Sequence, residues 1–233
     1  MITFYSADAD GKDYRHGKRL IMKEQSKKTR DMVMTAMFTA IIIIMAFVPY
    51  MGYIPLGFMN ATIIHIPVII GAIVLGPKKG AFLGGVFGIT SMINNTINPN
   101  LTSFVFSPFY NLGETHGNFF SIIICMVPRI LIGVVAYYVY KGVMKLFKNK
   151  KHANIPACAV AGVAGSLTNT ILVMGGIALL FGESYAAAKG LAMDALYGVI
   201  LGVVGTNGVP EAIVAGIIVT LVCKALFVVM KRN

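Results

Sequence analysis

The chain reads as an all-α integral membrane protein with six transmembrane helices, an ordered outer loop and a re-entrant or interfacial helix before the last span. Three observations point there. The 233 residues are 57% hydrophobic and only 12% charged, whereas a soluble domain carries about 25% charged residues. Apolar runs of spanning length, about 20 residues at 1.5 Å each, recur along the chain. The basic residues fall in blocks between those runs, as in cytoplasmic loops.

The first span is expected from about Met32 to Val48, stopping at Pro49, and a short second one from Ala61 to Gly76. Pro77-Lys78-Lys79 reads as a tight turn. The third span follows from Gly80 to about Ile93, the fourth from Asn118 to Met144, the fifth from Ile155 to Phe181 and the last from about Val209 to Met230. The apolar stretch Ala186–Val204 contains Lys189 and Asp194 and is rich in glycine. As a seventh span it would put Lys231-Arg232 outside, so it is assigned to the outer face. Residues 1–31 are expected to form a basic cytoplasmic tail, without the apolar core of a secretory signal, and residues 32–233 a single six-helix transmembrane domain.

Charge orients this arrangement. Lys12, Arg15, Lys18, Arg19, Lys23, Lys27, Lys28 and Arg30 lie in the tail, Lys78 and Lys79 after the second span, and Lys141, Lys145, Lys148, Lys150 and Lys151 after the fourth. The three outer segments hold only Lys189. Both termini are therefore expected in the cytoplasm. The net charge of +11 is accounted for by this pattern, and no nucleic-acid recognition motif accompanies it.

Gly80, Gly84 and Gly88 recur one turn apart in the third span, with Ala81 and Gly85 alongside. Small residues at this spacing let two backbones approach closely in lipid. Cys125, Cys158 and Cys223 are far apart in apolar runs and read as small buried hydrophobes.

Polar groups inside a span need a reason. Arg129 lies about eleven residues into the fourth span, roughly 16 Å deep. It reads as the counter-ion of an anionic substrate, as one half of a structural ion pair, for instance with Glu211, or as both in turn, the pair opening when substrate arrives. Asn169, in Ser166-Leu167-Thr168-Asn169-Thr170, falls at a similar depth and is either a ligand contact or interhelical glue. Asn207 and Glu211 are four apart and share a helix face if the last helix starts early enough; capping and ligand binding both fit, and Pro210 suits a first helical turn. The outer segment 94–117 carries many amides and hydroxyls, aromatics and no positive charge, the composition of an ordered lid. His65 reads as a hydrogen-bonded interior residue rather than a proton carrier, and His116 as a solvated one. Walker, H-E-x-x-H and G-x-S-x-G motifs are absent, so uphill transport would draw energy from a partner.

Several stretches carry a family resemblance. His65 to Pro77, then Gly80-Ala81-Phe82-Leu83-Gly84 and Phe87-Gly88-Ile89-Thr90-Ser91, resemble the S components of energy-coupling factor (ECF) vitamin transporters. Thr102 to Phe109, Pro128 to Gly133 and Gly165 to Thr170 look most like the pantothenate type. The resemblance covers the chain after Asp31. It implies six helices, capture of a vitamin from outside, and docking on a membrane coupling subunit driven by two cytoplasmic ATPases. It implies docking through small alanines on the first helix, here Ala36 and Ala40, and a pocket in the outer half. By it, Asn94, Asn95, Thr102, Ser103, Tyr110, Arg129, Asn169, Asn207 and Glu211 are expected around that pocket. No enzymatic activity, cofactor or metal is expected in this chain. The rival readings are an S component for riboflavin, folate or another cofactor precursor, and a stand-alone ion-coupled carrier. The latter is disfavoured by the lack of a convincing internal repeat.

Overall fold

The protein is described from a computed structural model covering residues 8–48, 51–55, 60–112, 115–147 and 153–232. Pro49, the expected end of the first span, and Lys148, Lys150 and Lys151 of the inner block lie outside the described residues. Two compact units divide between Met37 and Phe38. The helix α1 (Asp8–Phe47) runs without a break past Asp31, where the composition turns from polar to apolar. Glu24 and Lys28 pair one turn apart at 2.8 Å on its exposed surface, a contact of little energetic weight. The Thr35 hydroxyl donates to the Asp31 carbonyl at 2.6 Å, so its polar group is met inside the helix.

The second unit is built around α2 (His65–Leu75), in which His65 to Ile73 are all buried. Its run His-Ile-Pro-Val-Ile-Ile-Gly-Ala-Ile has no polar face, and a helix apolar all round belongs in an interior. It packs on α3 (Pro77–Ile97), α4 (Phe119–Leu146), α5 (Asn154–Leu180) and α8 (Val209–Arg232). This helix is shorter than the expected span, because Asn60–Thr62 (β2) instead pairs antiparallel with Tyr53–Pro55 (β1), Tyr53 opposite Thr62. The expected Pro77-Lys78-Lys79 turn is also displaced. Gly76, at φ +95°, makes the turn, and Pro77 opens α3, where its missing N–H costs nothing.

The glycine stripe of α3 faces α4. A Cβ on Gly84 would strike the backbone carbonyl of Arg129, one on Gly133 the backbone of Gly80, and one on Gly88 the Met126 side chain. Gly85, beside the stripe, faces open space. α4 opens with a capping box, Asn118 accepting from the Phe120 N–H at 2.9 Å while Ser121 accepts from the Asn118 N–H at 3.1 Å. A second close approach joins α5 to α8, where Gly162 sits on the backbone of Ala215 and Gly216.

Between α3 and α4 the outer segment folds inward. Phe104 and Val105 are fully buried in an apolar cluster with Ile124, Val173, Ile177 and Phe181, and the Phe104 and Phe181 rings meet edge-on at 6.0 Å. The Ser121 hydroxyl donates to the Phe104 carbonyl at 2.7 Å, and Thr96 and Ser107 share a hydrogen bond of 2.6 Å. Asn111–Leu112 (β3) pairs with Thr115–His116 (β4) in a short hairpin, and His116 is exposed.

The C-terminal part departs from the expected division. The stretch Ala186–Val204 is split at Gly190, which is left-handed at φ +64°. Before it lies α6 (Gly182–Lys189), after it α7 (Met193–Val203). α7 then runs without a break through a π-helical turn, Val204–Gly208, into α8. The boundary expected near Val209 is therefore a wide turn inside one helix, and Pro210 lies in that helix's interior. Proline withdraws the donor that the Thr206 carbonyl would use, and a π turn is one way a helix absorbs such a loss.

Among the described residues four helical stretches, Met22–Phe47, Phe119–Leu146, Asn154–Leu180 and Met193–Val229, are long and apolar enough to cross a bilayer. Ile44, Phe82, Ile171, Leu179, Ile217 and Leu221 point outward from their helices, as lipid-facing residues do. The protein is an all-helical, multi-pass integral membrane protein, its only strands among the described residues being the two short hairpins.

The α3–α4 crossing sets a first prediction. Gly84→Leu overpacks the contact with the Arg129 carbonyl and lowers stability by ~1–3 kcal/mol, whereas Gly85→Ala causes no loss and stabilises the helix by ~0.5–1 kcal/mol. Thermal unfolding of the purified variants in detergent checks this, and equal losses would contradict the assigned crossing.

Candidate functional site

Arg129 is 6% exposed, on the buried face of α4. One arm of its guanidinium, Nη1, donates to the carbonyl of Ile124 at 2.8 Å. Nε has no hydrogen-bond partner. The guanidinium carbon lies 5.6 Å from the Phe87 ring centre and 5.0 Å from that of Phe106, within range of cation–π attraction. Among the described residues no carboxylate comes within ion-pair distance of it. The alternative partner considered above, Glu211, is engaged elsewhere: its Oε1 accepts from the Thr62 N–H at 2.8 Å, tying the β1–β2 hairpin to α8.

Arg129 forms part of the wall of a cavity of about 90 Å³, partly open to solvent. Of the nine residues expected around a pocket, Asn95, Thr102, Arg129, Asn169, Asn207 and Glu211 line it. They come from α3, the outer segment, α4, α5, the π turn and α8. Asn169 is 8% exposed and its Oδ1 has no partner. Asn207 and Glu211 do share a face, because the helix begins before both. Gly208 packs directly on the Thr170 side chain, where a Cβ would collide, and this brings the π turn beside Asn169.

Three expected residues stand elsewhere. Asn94 accepts from Asn98 Nδ2 at 3.0 Å on the exposed side of α3. Ser103 is buried behind the wall, donating to Asn95 Oδ1 at 2.9 Å. Tyr110 packs against the apolar cluster around Phe104. Ser103 thus orients Asn95, whose Nδ2 also donates to the Ser91 carbonyl at 2.9 Å.

Other wall residues were not anticipated: Thr62, Ser91, Asn100, Phe106 and Thr170 among them. Ser91 lies one helical turn before Asn95, and Thr170 adjoins Asn169, so both had a local signal. Asn100 accepts from the Thr102 N–H at 2.9 Å and from its hydroxyl at 3.0 Å, a loop turn that spacing does not announce. Thr62 arrives through the hairpin and had none.

The wall therefore joins one cation without a carboxylate partner, several amides and hydroxyls, one carboxylate, and apolar surface from Phe106, Val173, Met174 and Val203. It suits a small, mostly polar anion bearing an apolar patch. Among the described residues no group of histidine, cysteine or acidic side chains is arranged to hold a metal.

Comparison with known proteins agrees. Residues 30–223 match the family model "ECF transporter, substrate-specific component". The pantothenic acid transporter PanT of Lactococcus lactis subsp. cremoris is 36% identical over 204 residues, covering 87% of this chain and 96% of that protein. The pantothenate transporter PanT of Leuconostoc mesenteroides subsp. mesenteroides is 28% identical over 218 residues, covering 89% and 97%. With a family match over residues 30–223 and a relative at this identity covered over nearly its full length, the chain belongs to the substrate-specific components of ECF transporters.

Proposed function

We propose that this protein captures pantothenate from outside the cell and delivers it inward as the S component of an ECF transporter. Partner ATPases supply the energy through a membrane coupling subunit. The observation that carries the reading is the buried guanidinium of Arg129, on a cavity wall and in no ion pair with a carboxylate among the described residues. Pantothenate brings the missing charge: one carboxylate, an amide, two hydroxyls and a gem-dimethyl group. In this reading Arg129 takes the carboxylate, Asn95, Thr102, Asn169 and Asn207 meet the amide and hydroxyls, and Phe106, Val173 and Met174 cover the methyls. Glu211, with Oε1 held by Thr62, offers its other oxygen to a hydroxyl. Asn94, Ser103 and Tyr110 act from behind or beside this wall. The two relatives named as pantothenate transporters support the choice of vitamin.

The six spans of this reading are α1 from Met32, α2, α3, α4, α5 and α8, with the basic tail 1–31 and both termini cytoplasmic by the charge bias. α6 and α7 belong to the outer side, α7 leading directly into the last span. Ala36 and Ala40 are exposed one turn apart on α1, and small side chains there admit close approach of a coupling-subunit helix. Release inward follows a toppling of the whole subunit against that partner.

Calorimetry on purified protein tests the capture role. Arg129→Ala weakens pantothenate binding about 100-fold, and Asn169→Ala about tenfold. Unchanged affinity in the arginine variant would sink the assignment. For docking, Ala36→Leu combined with Ala40→Leu abolishes uptake by the complete transporter in proteoliposomes while the isolated subunit binds pantothenate as before. Loss of binding and uptake together would count against a docking face.

A further inference from the structure

The bond that holds Arg129 has an origin one residue earlier. Pro128 is buried inside α4. Having no N–H, it makes no hydrogen bond to the carbonyl four residues back, that of Ile124, and its ring pushes that carbonyl out of the helical ladder. In lipid a backbone oxygen freed in this way must find another donor. The donor it finds is Nη1 of Arg129, at 2.8 Å. A helical side chain leans toward the N-terminus of its helix, so the residue directly after the proline is well placed to reach back to this carbonyl.

The geometry points to Pro128 as a positioning residue for substrate recognition: it presents the Ile124 carbonyl as an anchor for one arm of Arg129 and so fixes the guanidinium at the cavity wall. The anchor is neutral. It orients the cation without cancelling its charge, as a carboxylate would, and leaves Nε unpartnered. Phe87 and Phe106 flank the same group and are likewise uncharged. The role rests on the reading in which Arg129 binds a carboxylate.

The test compares pantothenate with its alcohol analogue, in which a hydroxymethyl group replaces the carboxylate, by calorimetry on the purified full chain. Pro128→Ala restores the N–H, returns the Ile124 carbonyl to the helix and frees the guanidinium. Pantothenate binding then weakens about tenfold, the alcohol binds as to the unmodified protein, and Pro128→Ala adds nothing further in an Arg129→Ala background. Pro128→Ser, which also restores the donor, reproduces this selectivity, and thermal unfolding confirms that both variants are folded. Equal weakening of acid and alcohol, or no weakening of the acid while Arg129→Ala still loses it selectively, overturns the role of Pro128 and leaves Arg129 as the carboxylate partner. If Arg129→Ala itself fails to discriminate acid from alcohol, the carboxylate reading falls, and the positioning role with it.

Discussion

A guanidinium withdrawn from water into an apolar bundle is the constraint on which the rest of this structure turns. Burying a charge costs several kcal/mol unless it is paired or hydrogen-bonded. Here the compensation from the protein is partial: one carbonyl and two aromatic faces. The surrounding architecture is consistent with keeping the deficit. α2 fills the interior with apolar side chains, and the only carboxylate on the cavity wall among the described residues is engaged by a backbone N–H. A site left electrostatically incomplete in this way gains most from an anion, and less from a neutral molecule of the same shape.

The elements that build the wall are held by short-range steric devices more than by polar bonds. Glycines set the α3–α4 and α5–α8 distances. Gly208 lets the π turn settle on Thr170. The outer segment is fastened from within by Phe104 and Val105 and by the bonds among Asn95, Asn100, Thr102 and Ser103. In lipid, where apolar contact between helices brings little hydrophobic gain, such shape fit is the main source of association.

Much of this was legible in the sequence. The periodic glycines declared a packing face, the lone mid-span arginine declared a costly charge, and Asn169, Asn207 and Glu211 stood out as polar groups in apolar runs. What escaped depended on direction or on long-range pairing. Asn94 and Asn95 are neighbours, yet successive helical residues point about 100° apart, so only Asn95 faces inward. Thr62 reaches the wall through a hairpin whose pairing no local pattern encodes. The Gly205-Thr206-Asn207-Gly208-Val209-Pro210 run contains every residue that usually ends a helix, and a π turn carried the helix through it.

The contact of Gly84 with the backbone of Arg129 has a consequence for how such proteins diversify. The depth of the cation is coupled to the spacing of two helices at the same level, so neither can drift alone. A larger residue at position 84 would displace the charge as well as the helix. A chain that changes what this cavity accepts while keeping the cation in place therefore has to keep this crossing small.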